Sequence, residues 1–239
     1  MRLMAETQYD ELGHLYDEHS ATNATNAYYD RPAILELAGE VAGKRVLDVG
    51  CAGGHLARQL VERGAKVTGI DLSATMIGLA RRRCPEAEFH QADLARPLDF
   101  LPSDAFDLVT ASLVLHYLED WGPPLAELRR VLEPGGVLVL SVHHPEDWHW
   151  FDRPDYFRTE PVHDVFTVAG RPMPVRFYRR PLSASFRALR QAGFAVDQLV
   201  EPMPLPEAKQ ADPDFYPVLT TAPRFLYFRA ISEEVPSGT

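Results

Sequence analysis

The chain has 239 residues, with 24 Lys and Arg against 34 Asp and Glu, for a formal charge of −10. Neutralising a phosphate backbone takes a basic surface, so this balance argues against nucleic acid as a partner, while 46% apolar and 24% charged residues exclude wholesale disorder. Residues 1–10 hold Glu6 and Asp10 and no apolar run of signal-peptide length, and no charge-free stretch approaches the roughly twenty residues that span a bilayer; the expectation is a soluble, cytoplasmic chain with no membrane partner. Cys51 and Cys84 are the only cysteines, too few for a disulfide framework or a four-thiolate zinc site.

Two helices are expected first, over 9–19 and 32–40, the second with Pro32 in its opening turn. From 40 to 142, short β-branched runs at 45–49, 66–70, 88–91, 107–111 and 137–142 alternate with helical stripes: Leu56, Leu60 and Val61; Met76, Leu79 and Ala80; Leu125, Leu128, Val131 and Leu132. Alternation of this kind predicts an α/β fold with a parallel sheet covered by helices. Pro134-Gly135-Gly136 is expected to stop the last of those helices and to open the fifth strand. Residues 145–223 carry 12 of the 20 prolines, and 145–181 holds Trp148, Trp150, Phe151, Tyr156, Phe157, Phe166, Phe177 and Tyr178. Such a stretch is expected to avoid regular sheet and to offer packing surface. A helix from Ser183 to Gly193 and strands at 194–200 and 224–230 complete seven strands.

The most informative stretch is Val46-Leu47-Asp48-Val49-Gly50-Cys51-Ala52-Gly53-Gly54-His55, a buried strand that passes through a glycine-rich turn into a helix. Glycines let backbone and ligand approach closely, and a helix start offers free N–H groups. A dinucleotide loop wants G-x-G-x-x-G, but counted from Gly50 the second and third places are Ala52 and His55, which disfavours a dehydrogenase. Asp48 would also repel a pyrophosphate; a cationic ligand group suits it. Asp71 follows the second strand, at the spacing from Gly50 where a carboxylate can accept from a ribose diol, and Ser73 is free to cap the next helix. Asp93 follows the third strand and can accept from an adenine amino group or serve a turn.

VLDVGCAGG at 46–54, GIDLSATMIGLAR at 69–81, ADL at 92–94, FDLVTASLVLHYLEDW at 106–121 and LRRVLEPGGVLVLS at 128–141, in that order, resemble the class I S-adenosylmethionine (SAM)-dependent methyltransferases, and within them the small-molecule group that includes the ubiquinone and menaquinone biosynthesis type. The family often has glycine where Ala52 stands. The resemblance implies a Rossmann-like, seven-stranded, mostly parallel sheet with helices on both faces, in one domain: an N-terminal helical cap (1–40), a SAM-binding core (41–144), a substrate lid inserted after the fifth strand (145–182), and a C-terminal helix with two strands (183–231). It implies that Asp48, Gly50, Cys51, Ala52, Gly53 and Gly54 hold the methionine part of SAM, whose product is S-adenosylhomocysteine. Asp71 would hold the ribose, Leu72 and Met76 the adenine faces, and Ala92, Asp93 and Leu94 the adenine edge. Ala111, Ser112 and Leu113 would pass the methionine moiety, with Tyr16, Tyr28 and Arg31 closing the site from the N-terminal side.

Methyl transfer from a sulfonium is an in-line displacement with a neutral leaving group, so positioning and desolvation of the nucleophile dominate. A general base is optional, and His116, His143 and His144, near the ends of the fourth and fifth strands, are the candidates. The group His143, His144, Glu146, Asp147, His149 and Asp152 lacks the spacing of a known metal motif, and Thr110-Ala111-Ser112 replaces the acids that magnesium-dependent catechol-type relatives carry; metal-free transfer is expected. In the lid, the aromatics can wall an apolar acceptor, and Arg176, Arg179 and Arg180 can grip an acidic one. The acceptor is expected to be a small molecule and the protein a monomer or homodimer. Ala111-Ser112-Leu113-Val114 does not resemble the Asn/Asp-Pro-Pro-aromatic motif of amino-methylating nucleic-acid enzymes. A SAM-binding regulator or inactive partner is the alternative, since a fold does not fix function.

Overall fold

The computed structural model describes residues 9–147 and 155–233. Strands β1 (Arg45–Val49), β2 (Lys66–Asp71), β3 (Glu88–Gln91), β4 (Phe106–Ala111), β5 (Leu132–His143), β8 (Phe194–Val200) and β9 (Phe225–Ser232) form one sheet in the order β3-β2-β1-β4-β5-β9-β8. The first five are parallel and β9 runs antiparallel to both its neighbours, giving the Rossmann-like, mostly parallel sheet that the motifs imply.

Alternation along the strands decides where the core lies. Val46, Leu108, Val139 and Tyr227 pack on one face with α2 (Arg31–Ala38), α3 (His55–Glu62) and α4 (Ala74–Arg83); Leu47, Val49, Val109, Leu138, Leu140 and Phe228 pack on the other with α5 (Gly122–Val131) and α6 (Leu182–Gln191). Both faces are therefore covered, as a parallel sheet requires. Ahead of α2 stand α1 (Gly13–Thr22) and a π-helical turn (Asn26–Asp30) that runs straight into it. Two four-residue helices, α7 (Ala208–Ala211) and α8 (Tyr216–Leu219), lie in the long connection from β8 to β9. Among the described residues no helix is long and apolar enough to cross a membrane.

Three features depart from the sequence expectation. The fifth strand begins at Leu132: Leu132 pairs with Phe106 and Val137 with Leu108. Residues 133–136 are thus bulged out of the ladder, with Gly135 at φ +78°, and Pro134-Gly135-Gly136 interrupts the strand rather than preceding it. The π-helical turn carries no sequence signal that set it apart from ordinary helix. The third departure is in the insertion, which is regular sheet: β6 (Glu160–Val168) and β7 (Arg171–Arg179) pair antiparallel over their whole length. The prolines explain why this is allowed. Pro161, Pro172 and Pro174 occupy the pairs Pro161↔Tyr178, Thr167↔Pro172 and Val165↔Pro174, all of one parity in the ladder. In a two-stranded ribbon the N–H groups of alternate residues point outward, so imino residues at those places remove no cross-strand bond. Trp148, His149, Trp150, Phe151 and Asp152, expected in the lid, lie outside the described residues.

Candidate active site

A deep cavity opens where the carboxyl ends of β1, β2 and β4 meet the N-terminal segment and β7, the place where open α/β sheets hold ligands. Its floor is the turn after β1. Gly50 has φ +68°, and a Cβ there would stand 2.6 Å from the Val114 side chain, so only glycine fits. Ala52 also has positive φ, 46°. Its N–H donates to Asp71 Oδ2 (2.9 Å), and Ser73 N–H donates to Asp71 Oδ1 (2.9 Å). Asp71 is therefore fixed by two backbone donors while each oxygen keeps a lone pair for a ligand. Ser73 caps α4 by accepting from Met76 N, the task that leaves Asp71 available.

Asp48 is 1% exposed. Its Oδ1 accepts from Thr110 Oγ1 (2.8 Å), whereas Oδ2 is buried with no partner among the described residues. Burial, reinforced by the nearby Asp71 and Asp30, lifts its carboxyl to about 7. Arg31 donates to the carbonyls of Ser20 (2.9 Å) and Ala21 (3.2 Å), and its Nε is buried and has no partner among the described residues. Asp93 Oδ1 accepts from Ala95 N–H (2.9 Å) in a turn at the cavity edge. An acid with an open oxygen and a guanidinium with an open donor, lining one buried cavity, are complementary to a ligand carrying both charges of an amino acid.

Residues 47–140 match the family model of the methyltransferase domain. A ubiquinone biosynthesis O-methyltransferase of Sodalis glossinidius is 36% identical over 121 residues, 48% of this chain and 48% of that protein. A demethylmenaquinone methyltransferase of Thermus thermophilus is 41% identical over 122 residues, 48% of this chain and 54% of that protein. The chain thus matches about half the length of these curated relatives. The crystal structure of a SAM-dependent methyltransferase from Mesorhizobium loti is 30% identical, with a TM-score of 0.66 over 84% of this chain and 96% of that one. The chain belongs to the SAM-dependent methyltransferases.

The open Asp48 oxygen, the open Arg31 donor and the glycine turn fit the family's cofactor. Of the residues that the methyltransferase resemblance implied, Tyr16, Arg31, Asp48, Gly50, Cys51, Ala52, Asp71, Leu72, Met76, Ala92, Asp93, Leu94, Ser112 and Leu113 all line the cavity. Gly53, Gly54 and Ala111 stand behind that lining. The Gly53 carbonyl accepts from Arg83, Gly54 at φ +81° leads into α3 against Ala80, and Ala111 is fully buried in the core under the sheet. Tyr28 packs on the hydrophobic cluster beneath α2, its carbonyl accepting from Leu205 N–H (2.7 Å).

None of the three histidines lines the cavity. His116 is buried between Tyr117, His143 and Phe177, and burial together with Arg180 lowers it to about 3. His143 stacks on Phe177 at 4.4 Å and is also held neutral by burial. His144 is engaged at both nitrogens, with Glu201 Oε1 at 2.6 Å and with Glu146 N–H at 3.1 Å. These positions suit packing and loop anchoring rather than proton transfer. Among the described residues no group of three His, Cys, Asp or Glu is placed to hold a metal ion.

Tyr9, Asp30, Tyr117 and Tyr178 are among the cavity residues that escaped the sequence reading or entered it in another role. Asp30 is 1% exposed and accepts from Ser112 Oγ and from Ser141 Oγ (2.6 Å). Nothing in Tyr29-Asp30-Arg31-Pro32 separates such an acid from a helix cap. Tyr9 and Tyr117 meet hydroxyl to hydroxyl at 2.8 Å.

Proposed function

We propose that the protein transfers the methyl group of SAM to an O, N or C atom of a small-molecule acceptor, by in-line displacement without a metal ion. The observation that carries the reading is the buried, unpartnered Oδ2 of Asp48 at the glycine turn, which a ligand ammonium would satisfy. Arg31 would take the cofactor carboxylate through Nε, Asp71 the ribose hydroxyls, and Leu72 with Met76 the adenine faces, while Asp93 and Leu94 would read its edge. The bound cofactor supplies an activated methyl group and a neutral leaving group. The chain's own contribution is to orient the two reactants and exclude water, a source of about 7–11 kcal/mol in well-aligned systems.

The hairpin of β6 and β7 serves as the acceptor lid. It packs its own small core of Val162, Met173, Val175 and Phe177 against Tyr9, Tyr16 and Tyr117, and so closes the cavity over the end of β4. The end of β4 and the residues after it offer hydroxyl and apolar groups: Thr110, buried in β4, is committed to Asp48, and Ser112, at the cavity wall, to Asp30, which supports transfer without a metal. The test is calorimetric titration with S-adenosylhomocysteine, followed by methyl release from SAM over a panel of small acceptors. Binding and acceptor-dependent release are expected. Absence of binding overturns the assignment, and binding with no release from any acceptor turns the chain into a cofactor-holding partner.

A further inference from the structure

At the lid end of the cavity the chemistry changes sign. Asp48, Asp71 and Asp93 lie along the strand ends that would hold the cofactor, whereas β7 contributes Arg176. Among the described residues Arg31 and Arg176 are the arginines that line the cavity, and in each Nε is buried without an acceptor there. Arg31 is bound to the N-terminal segment and is accounted for by the cofactor. Arg176 is not. Its guanidinium lies over the Tyr178 ring at 5.1 Å, Nη2 donates to the Tyr178 hydroxyl at 2.7 Å, and that hydroxyl donates in turn to Glu119 Oε2 at 3.2 Å. The relay holds the charged fork still without giving it a direct carboxylate partner. A buried guanidinium donor left open is costly, and what satisfies it best is a planar oxyanion.

Resting on the function proposed above, we propose that the methyl acceptor is a small carboxylic acid, its carboxylate held by Arg176 and its apolar body lodged among Tyr9, Tyr117 and Tyr178. One cation matches a singly charged group. A phosphate would bring more charge than Arg176 alone neutralises, close to Glu119 on the same relay.

Two matched pairs of probes test this on protein loaded with S-adenosylhomocysteine: 4-hydroxybenzoate against 4-hydroxybenzamide and hexanoate against hexanamide, with phenyl phosphate as a third arm, all titrated by calorimetry. At least one carboxylate should bind about tenfold or more tightly than its amide. Arg176→Gln should bring the pair within about twofold and Arg176→Lys should restore part of the gap, while both variants keep the wild-type affinity for S-adenosylhomocysteine, which certifies the fold. The proposal is overturned if no carboxylate is preferred to its amide, if the preference survives Arg176→Gln, or if phenyl phosphate outbinds the carboxylates. Failure of the wild type to bind S-adenosylhomocysteine is a separate result, which removes the cofactor reading instead.

Discussion

Asp48 makes the sharpest prediction, because its charge is held at a cost that a ligand should relieve. The carboxyl stands at about 7 in the folded protein against an ordinary 3.8; about three pH units at 1.36 kcal/mol each give a penalty of about 4 kcal/mol for ionising it in the ligand-free state. The folded state holds the proton up to about pH 7 and the unfolded state loses it near pH 4, so ligand-free stability falls as pH rises through that interval and is level above it. Asp48→Asn keeps the bond to Thr110 and removes the charge. At pH 8 it should stabilise the ligand-free protein by up to about 4 kcal/mol, with Tm rising about 2–4 °C for each kcal/mol. The same change should weaken S-adenosylhomocysteine by about 1.5–3 kcal/mol, the scale of a lost charge-assisted hydrogen bond. In the wild type, binding the ammonium expels the Asp48 proton, so affinity should fall about tenfold from pH 8 to pH 6; in Asp48→Asn that dependence should vanish. Asp30 and Asp71 are also raised by burial, and any pH dependence they contribute would persist in the variant. Calorimetry at three pH values, in buffers of different ionisation enthalpy, reads both affinity and proton release. A flat wild-type profile, or Asp48→Asn binding as tightly as the wild type, would refute the reasoning.

Asp71→Asn should weaken S-adenosylhomocysteine by about 1.5–3 kcal/mol through the ribose contact; unchanged affinity in the same titration returns Asp71 to fixing Ala52 and Ser73. Asp17 is buried, bonded to Arg83 at 2.7 Å and near His55 at 3.2 Å, and its carboxyl is held down to about 2. Its stabilisation is therefore present above pH 4 and lost as pH falls toward 2, so Asp17→Asn should cost about 2 kcal/mol at pH 7 and almost nothing at pH 2, read by urea unfolding. His116→Phe should leave turnover at pH 7–8 within about threefold, since the imidazole is neutral and off the cavity; a hundredfold loss would identify it as a base.

The parts of the fold that were legible in the sequence are those whose placement is local. Buried parallel strands are continuous β-branched runs ended by turns, so 45–49 and 88–91 coincide with β1 and β3, and the acids at the carboxyl ends of β1 and β2 fall at the cavity by chain direction alone. The bulge in β5 was hidden because Pro134-Gly135-Gly136 reads equally as a helix stop, and the pairing of Leu132 with Phe106 depends on a partner 26 positions away. The hairpin was hidden because proline counts do not reveal parity. The histidines misled for a related reason: standing near the end of a strand says which edge a residue occupies, while His116 and His143 turn toward Phe177 and the lid's own core.

The sequence pointed to Arg31 but not to Asp30 beside it, and this segment joins the N-terminal cap to the sheet. Tyr29, Asp30 and Arg31 are consecutive and all buried. The first two close the π-helical turn over Asn26–Asp30 and the third opens α2, so the junction of the two helices carries them. Tyr29 then packs on Phe225, Asp30 takes the hydroxyls of Ser112 and Ser141 beyond β4 and within β5, and Arg31 reaches the carbonyls of Ser20 and Ala21. One unusual turn thereby ties the cap to the sheet. Ser112 lines the same cavity that Arg176 enters from β7. On the function proposed above, Asp30 acts as a positioning residue for in-line transfer, through the Ser112 that it holds at the cavity wall.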